Sequence, residues 1–268
     1  MTDAICYYRH ESPAVTFPCF DGRSTVCGRC CIENCRNASP GWFLRCRAAG
    51  HPTWPADVRK AGEQLPSPVA RKIVCLETYW GDHRGQVFGN TSVRPFMEAL
   101  GGQLDPPLRI AHRFVESAAH LASYIEGPDS LLRRDREVQD APIMYLSFHG
   151  APGTLRSSLE RVDSESLCRA FAGWGTRCPS LVYFGACSVF AGEEGEAFAR
   201  RFLEASGVQA VIGYATDIDW MDSMMTDLIF LRRFFGVVDP WAAIAQIHES
   251  VLADFLPAAR LGLRLFTR

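Results

Sequence analysis

Two stretches decide how this chain is read: Ile143-Met144-Tyr145-Leu146-Ser147-Phe148-His149-Gly150 and Leu181-Val182-Tyr183-Phe184-Gly185-Ala186-Cys187-Ser188. Each begins as a short apolar run of strand length and closes on small residues around a reactive side chain. Strands that are apolar on both faces are covered on both sides, as in a parallel sheet packed between helices. The separation of 38 residues (187 − 149) leaves room for one helical crossover. His149 and Cys187 are then expected at the carboxyl ends of neighbouring strands, where open α/β sheets carry their sites.

Working outward, residues 73–80, 108–115 and 208–214 read as three further strands. Helical spacing is expected at 90–100, with Gly101-Gly102 as a stop, and at 118–125, 164–172 and 193–205, the last closed by Gly207. Two more helices follow. One covers 223–235 and buries Met224, Leu228, Leu231 and Phe235. The other opens at Asp239-Pro240 and buries Ile244, Ile247, Val251, Leu252 and Phe255. Strands alternate with helices five times. The expected architecture over residues 71–268 is therefore α/β, a mostly parallel central sheet with helices on both faces.

Residues 1–70 read differently. Seven prolines interrupt them and no period of 2 or 3.6 is sustained. Seven of the 11 cysteines lie here. Cys27-x-x-Cys30 and Cys31-x3-Cys35, with Cys19, Cys46, His10 and His51, have zinc-like elements of spacing. A second C-x2-C pair is missing, so a poorly ordered or spuriously translated leader is the favoured reading over a zinc module. The arginine-heavy basic composition, with only Lys60 and Lys72 as lysines, fits a GC-rich source in which a downstream start is plausible.

Composition narrows the function classes. The chain has 268 residues, 47% apolar and 22% charged, which is enough to bury a core. A formal charge of −2 gives no basic excess of the kind that nucleic-acid binding needs. No apolar stretch reaches the roughly 20 residues of a membrane span. The amino terminus lacks a basic region followed by an apolar one, so a cytoplasmic, reducing location is expected, without a disulfide framework.

A thiol beside an imidazole is the minimum for nucleophilic acyl transfer. Cys187 is the candidate nucleophile and His149 the candidate general acid/base. Gly150 and Gly185 permit close backbone approach, and the N–H groups of Gly150 and Cys187 are candidates for holding the oxyanion. Either residue alone reads as a small buried hydrophobe or a satisfied histidine. Both at two successive strand ends favours catalysis. Asp217 and Asp219 follow the fifth strand on the same edge, as walls of a substrate pocket or as caps of the next helix. As pocket walls they favour a cation, arginine above lysine. No Walker A loop, dinucleotide fingerprint or G-x-S-x-G is present, and no cofactor or catalytic metal is expected. His248-Glu249 lacks the second histidine of a zinc-protease helix.

Phe148-His149-Gly150, Gly185-Ala186-Cys187-Ser188 and Ala210-Val211-Ile212-Gly213, the last followed by Asp217 and Asp219, resemble the caspase-like (clan CD) cysteine peptidases, closest to their bacterial CHAT-like branch. The resemblance covers about residues 71–268. It implies a three-layer sandwich and an endopeptidase cutting a partner protein, in bacterial defence or regulated cell death, with a regulatory partner protein in some cases. The caspase signature Q-A-C-x-G reads Gly185-Ala186-Cys187-Ser188-Val189 here, so aspartate specificity is not implied. The alternatives are a catalytically silent protein that keeps the fold for binding, with residues 1–70 as its interaction module, and, more weakly, a zinc-dependent nucleic-acid binder.

Overall fold

The computed structural model describes residues 16–18, 25–27, 69–79, 92–104, 106–127, 130–135, 140–157, 160–172, 179–237 and 239–268. The chain divides into two compact units. One comprises residues 1–69 with 237–241; within it β1 (Thr16–Pro18) and β2 (Thr25–Cys27) pair antiparallel. The side chains of the cysteines and histidines considered above as zinc ligands lie outside the described residues.

The second unit, residues 70–236 and 242–268, holds a six-stranded sheet. Its elements in chain order begin with β3 (Lys72–Glu77), α1 (Arg94–Gln103), β4 (Arg109–Phe114), α2 (Ala118–Ile125), α3 (Leu131–Arg134) and β5 (Ile143–Ser147). Three short strands follow: β6 (His149–Ala151), β7 (Thr154–Arg156) and β8 (Arg161–Val162). Then come α4 (Ser164–Ala170), β9 (Leu181–Gly185), α5 (Gly192–Ser206), β10 (Ala210–Tyr214), α6 (Trp220–Gly236), α7 (Pro240–Asp254), α8 (Leu256–Arg260) and β11 (Leu263–Thr267). The spatial order is β11-β10-β9-β5-β3-β4, parallel throughout except for the antiparallel edge strand β11.

Alternation along the strands sorts the core into two layers. Val74, Leu76, Met144, Leu146, Val182, Phe184 and Val211 share one face and pack with Leu121 and Ile125 of α2, Leu167 of α4, and Phe198 and Phe202 of α5. Phe184 is the centre of an aromatic group, with Phe190, Phe198 and Phe202 at centroid distances of 5.4, 5.7 and 5.3 Å. The opposite face presents Tyr145, Tyr183 and Tyr214 to α6, where Tyr183 meets Phe230 edge-on at 5.7 Å. The sheet is thus covered on both sides, as its continuously apolar strands require.

Three expectations are corrected. Gly101-Gly102 does not stop α1, which runs on to Gln103. Gly101 is needed for packing, since a Cβ there would lie 2.5 Å from the Leu108 carbonyl oxygen. The buried face of α6 is broader than expected: Met224, Leu231 and Phe235 are buried as read, Asp227, Phe230 and Phe234 are buried beside them, and only Leu228 of the expected set is half-buried. An aspartate sits in that core because three tyrosines point at it. Finally, the strands β6–β8 and β11 lie where no strand was expected.

Candidate active site

β5 and β9 are neighbours, with Ser147 opposite Gly185 in register. The Phe148 N–H donates to the Gly185 carbonyl at 3.3 Å, carrying the pairing one residue further. His149 then starts β6, and Gly150 lies directly on the backbone of Cys187. A Cβ on Gly150 would sit 2.2 Å from the Cys187 carbonyl oxygen and 3.1 Å from its nitrogen. The two strand ends singled out in the sequence are therefore brought together, and only glycine fits at their junction.

Cys187 is a half-buried free thiol at the start of a tight turn. The turn is held from two directions. Ser188 and Phe190 donate their N–H groups to the carbonyls of Thr216 and Tyr214, at 2.8 and 2.9 Å. From the other side, the Gly153 N–H of the β6–β7 hairpin donates to the Val189 carbonyl at 3.0 Å. Ser188 adopts φ of +50°, a left-handed conformation uncommon outside glycine, aspartate and asparagine. Its hydroxyl donates to the Asp217 carboxylate at 2.7 Å, which compensates part of that strain.

His149 is half-buried, and its imidazole is held below the ordinary histidine range, first by burial and then by the Arg156 guanidinium. A neutral imidazole at neutral pH is the form that accepts a thiol proton. Cys168 and Cys75 differ from Cys187 in surroundings. Burial pushes the half-buried Cys168 thiol up, and burial followed by the Glu77 charge pushes the fully buried Cys75 thiol well up. Neither is suited to act as a nucleophile.

The two aspartates have separate positions. Asp219 caps α6: one carboxylate oxygen accepts the N–H groups of Met221 and Asp222 at 2.9 and 3.0 Å, and its carbonyl accepts from Ser223. Asp217 is exposed and holds Ser188, the residue after the candidate nucleophile. His248 donates from Nε2 to the Leu263 carbonyl at 3.0 Å, a structural role.

Two buried polar groups escaped the reading of the sequence. Glu77, fully buried at the end of β3, accepts from His112 Nε2 and the Ser92 hydroxyl, each at 2.6 Å, and from the Val93 N–H at 2.9 Å. It thereby ties the start of α1 and the edge strand β4 to the carboxyl edge of the sheet. The second is Asp227 of α6, also fully buried, which accepts from the hydroxyls of Tyr145 and Tyr214. Burial pushes its carboxyl up to about 7, against hydrogen bonds from Tyr145, Tyr183 and Tyr214 that pull it down. The signal was present: Tyr145 and Tyr183 each stand four residues before His149 and Cys187. Among the described residues no three His, Cys, Asp or Glu side chains gather to hold a metal, and no helix is long and apolar enough to cross a membrane.

The junction glycine gives a direct prediction. Gly150→Ala places a methyl group against backbone on the Cys187 side, so His149 and Cys187 must move apart. A displacement near 1 Å costs on the order of 100-fold in rate. Cleavage of a peptide substrate is expected to fall at least that far. Gly102→Ala is the control, because nothing lies within 4 Å of its added Cβ; it is expected to stabilise by about 1 kcal/mol. Full activity in Gly150→Ala would show that the junction does not set the dyad.

No protein-family model matches this chain, and no curated protein does. Among solved structures it is similar to a secreted C11 cysteine protease from Bacteroides thetaiotaomicron, determined in complex with an irreversible peptide inhibitor. The identity is 13% and the TM-score 0.40. The match covers 69% of this chain and 59% of that protease, so the chain spans less than two thirds of its neighbour's length.

Proposed function

We propose that residues 71–268 form a caspase-like cysteine endopeptidase domain of the CHAT-like branch, acting in the cytoplasm on a partner protein. The carrying observation is the Gly150–Cys187 backbone contact, which fixes a histidine and a cysteine at the ends of two adjacent parallel strands. His149 takes the Cys187 thiol proton, and the thiolate adds to the scissile carbonyl carbon. The N–H groups of Gly150 and Cys187 receive the oxyanion. The tetrahedral intermediate collapses as the C–N bond breaks, and the imidazolium gives its proton to the leaving amine. Water, deprotonated by His149, then cleaves the thioester and restores the thiol. No cofactor takes part in these steps. Residues 1–70 are read as a leader outside the catalytic domain, and a regulatory partner is compatible with it.

Asp217 and Asp219 remain the candidates for substrate recognition. Asp217 is the better placed, since it is exposed and contacts the residue following the nucleophile, whereas Asp219 is engaged as a helix cap. A carboxylate there attracts a substrate cation, and a guanidinium can pair with it bidentately. Fluorogenic peptides differing only at the residue before the cut are expected to be cleaved after Arg, then Lys, and not after Asp. Asp217→Asn should reduce the Arg preference more than Asp219→Asn. A preference for Asp or a large apolar residue, or an Arg preference that both variants leave intact, would refute the pocket assignment.

A further inference from the structure

The small sheet beside the dyad carries two charges that the cleavage steps do not use. In β6, β7 and β8, residues directly opposite one another project from the same face. One row across the three strands is Gly150, Leu155 and Val162. Gly150 rests on Cys187, and Leu155 and Val162 are buried in the core. The adjacent row is His149, Arg156 and Arg161, and it projects from the opposite face. Arg156 therefore has the catalytic imidazole on one side and a second arginine on the other.

Both arginines are exposed, and neither forms an ion pair with another described residue. Of the acids close in sequence, Glu160 accepts the Ala118 N–H at 2.9 Å, and Asp163, which accepts the Ser166 N–H at 2.8 Å as the cap of α4, is exposed and feels the Arg161 charge without forming an ion pair with it. Like charges directly opposite destabilise a sheet, so the pair is costly until an anion joins it. Arg156 also acts on the dyad, since its charge helps to lower the His149 imidazole.

Direction follows from the chemistry. His149 delivers its proton to the departing amine, so a row leading away from it runs along the half of the peptide that leaves. We propose that Arg156 and Arg161 bind an acidic side chain of the substrate on the leaving-group side of the scissile bond. This rests on the dyad reading above. Two guanidinium forks match a carboxylate in geometry as well as charge. With Asp217 on the nucleophile's side, the cleft is polarised: it takes a cation before the cut and an anion after it.

The test uses the full chain and internally quenched peptides with Arg before the cut and either Glu or Gln at one of the first three positions after it. At low salt the best Glu peptide should exceed its Gln twin in kcat/KM by about tenfold, and the ratio should shrink as ionic strength rises. In Arg156→Gln and Arg161→Gln the ratio should fall toward one, with Arg156→Lys keeping part of it. Neither Gln variant should melt below the wild type, because each relieves a like-charge pair. Equal rates for Glu and Gln, a preference untouched by both variants, a lower melting temperature, or selection of phosphoserine but not Glu would each overturn the proposal. Cleavage that persists in Cys187→Ala would overturn the dyad reading and this one with it. Cleavage that needs Cys187 yet ignores the acid would overturn only this one. If no peptide is cut, fluorescence anisotropy with Cys187→Ala decides: tighter binding of the Glu peptide supports the proposal and equal binding removes it.

Discussion

Cys187→Ala is expected to bring peptide cleavage down to background, a loss on the order of a million-fold if the thiol is the nucleophile. The thiol is half-buried at a turn whose hydrogen bonds are made by backbone groups of neighbouring residues, so the melting temperature should hardly move. His149→Ala should cost a comparable factor. The double variant should be no worse than either single one, because nucleophile and base act as a unit. Iodoacetamide supplies an independent readout. It should modify Cys187 before Cys168, whose thiol burial pushes up, and Cys75 last, since that thiol is fully buried. Undiminished cleavage in Cys187→Ala, or first labelling at Cys168, would end the assignment.

Asp227→Ala should be the most destabilising single change away from the dyad. It removes the acceptor for the Tyr145 and Tyr214 hydroxyls in a fully buried site. Each orphaned hydroxyl costs about 1–3 kcal/mol, so the unfolding midpoint should drop by roughly 10 °C. Asp227→Asn isolates the charge. The native carboxyl is pushed up to about 7, above its ordinary value of 3.8. Between about pH 4 and about pH 7 the folded protein therefore holds a proton that the unfolded chain has released. The associated stability is complete below that window, declines as pH rises through it, and is gone above it. The decline amounts to a few kcal/mol. Denaturation midpoints across the window should fall more steeply for the wild type than for Asp227→Asn; parallel profiles would mean that Asp227 ionises freely.

The long apolar strands and the helices between them were legible because their patterns persist over many residues. Residues 143–148 and 181–184 appear as β5 and β9, and Gly207 ends α5 in the left-handed conformation at φ of +73°. The order of His149 and Cys187 at the ends of those strands was legible for the same reason. The hairpin β6–β7 was not read, although Pro152-Gly153 is a turn signal, because strands of three residues have no measurable period. β11 was missed because an edge strand is only partly buried and shows alternation without a long apolar run. Asp227 was invisible on the assumption that cores exclude carboxylates; three tyrosines on three strands make it an exception that no single segment reveals.

The double tether of the Cys187 turn bears on how such a centre is controlled. Its Ser188 and Phe190 amides donate to the β10 end and its Val189 carbonyl accepts from the hairpin tip, both continuous with the packed body. Those amides should exchange with deuterated water as slowly as the sheet itself, opening only with large-scale unfolding. On the catalytic reading proposed above, a nucleophile anchored that way is in place before any activating signal. On that reading, control acts outside the turn, by covering or uncovering the approach to Cys187.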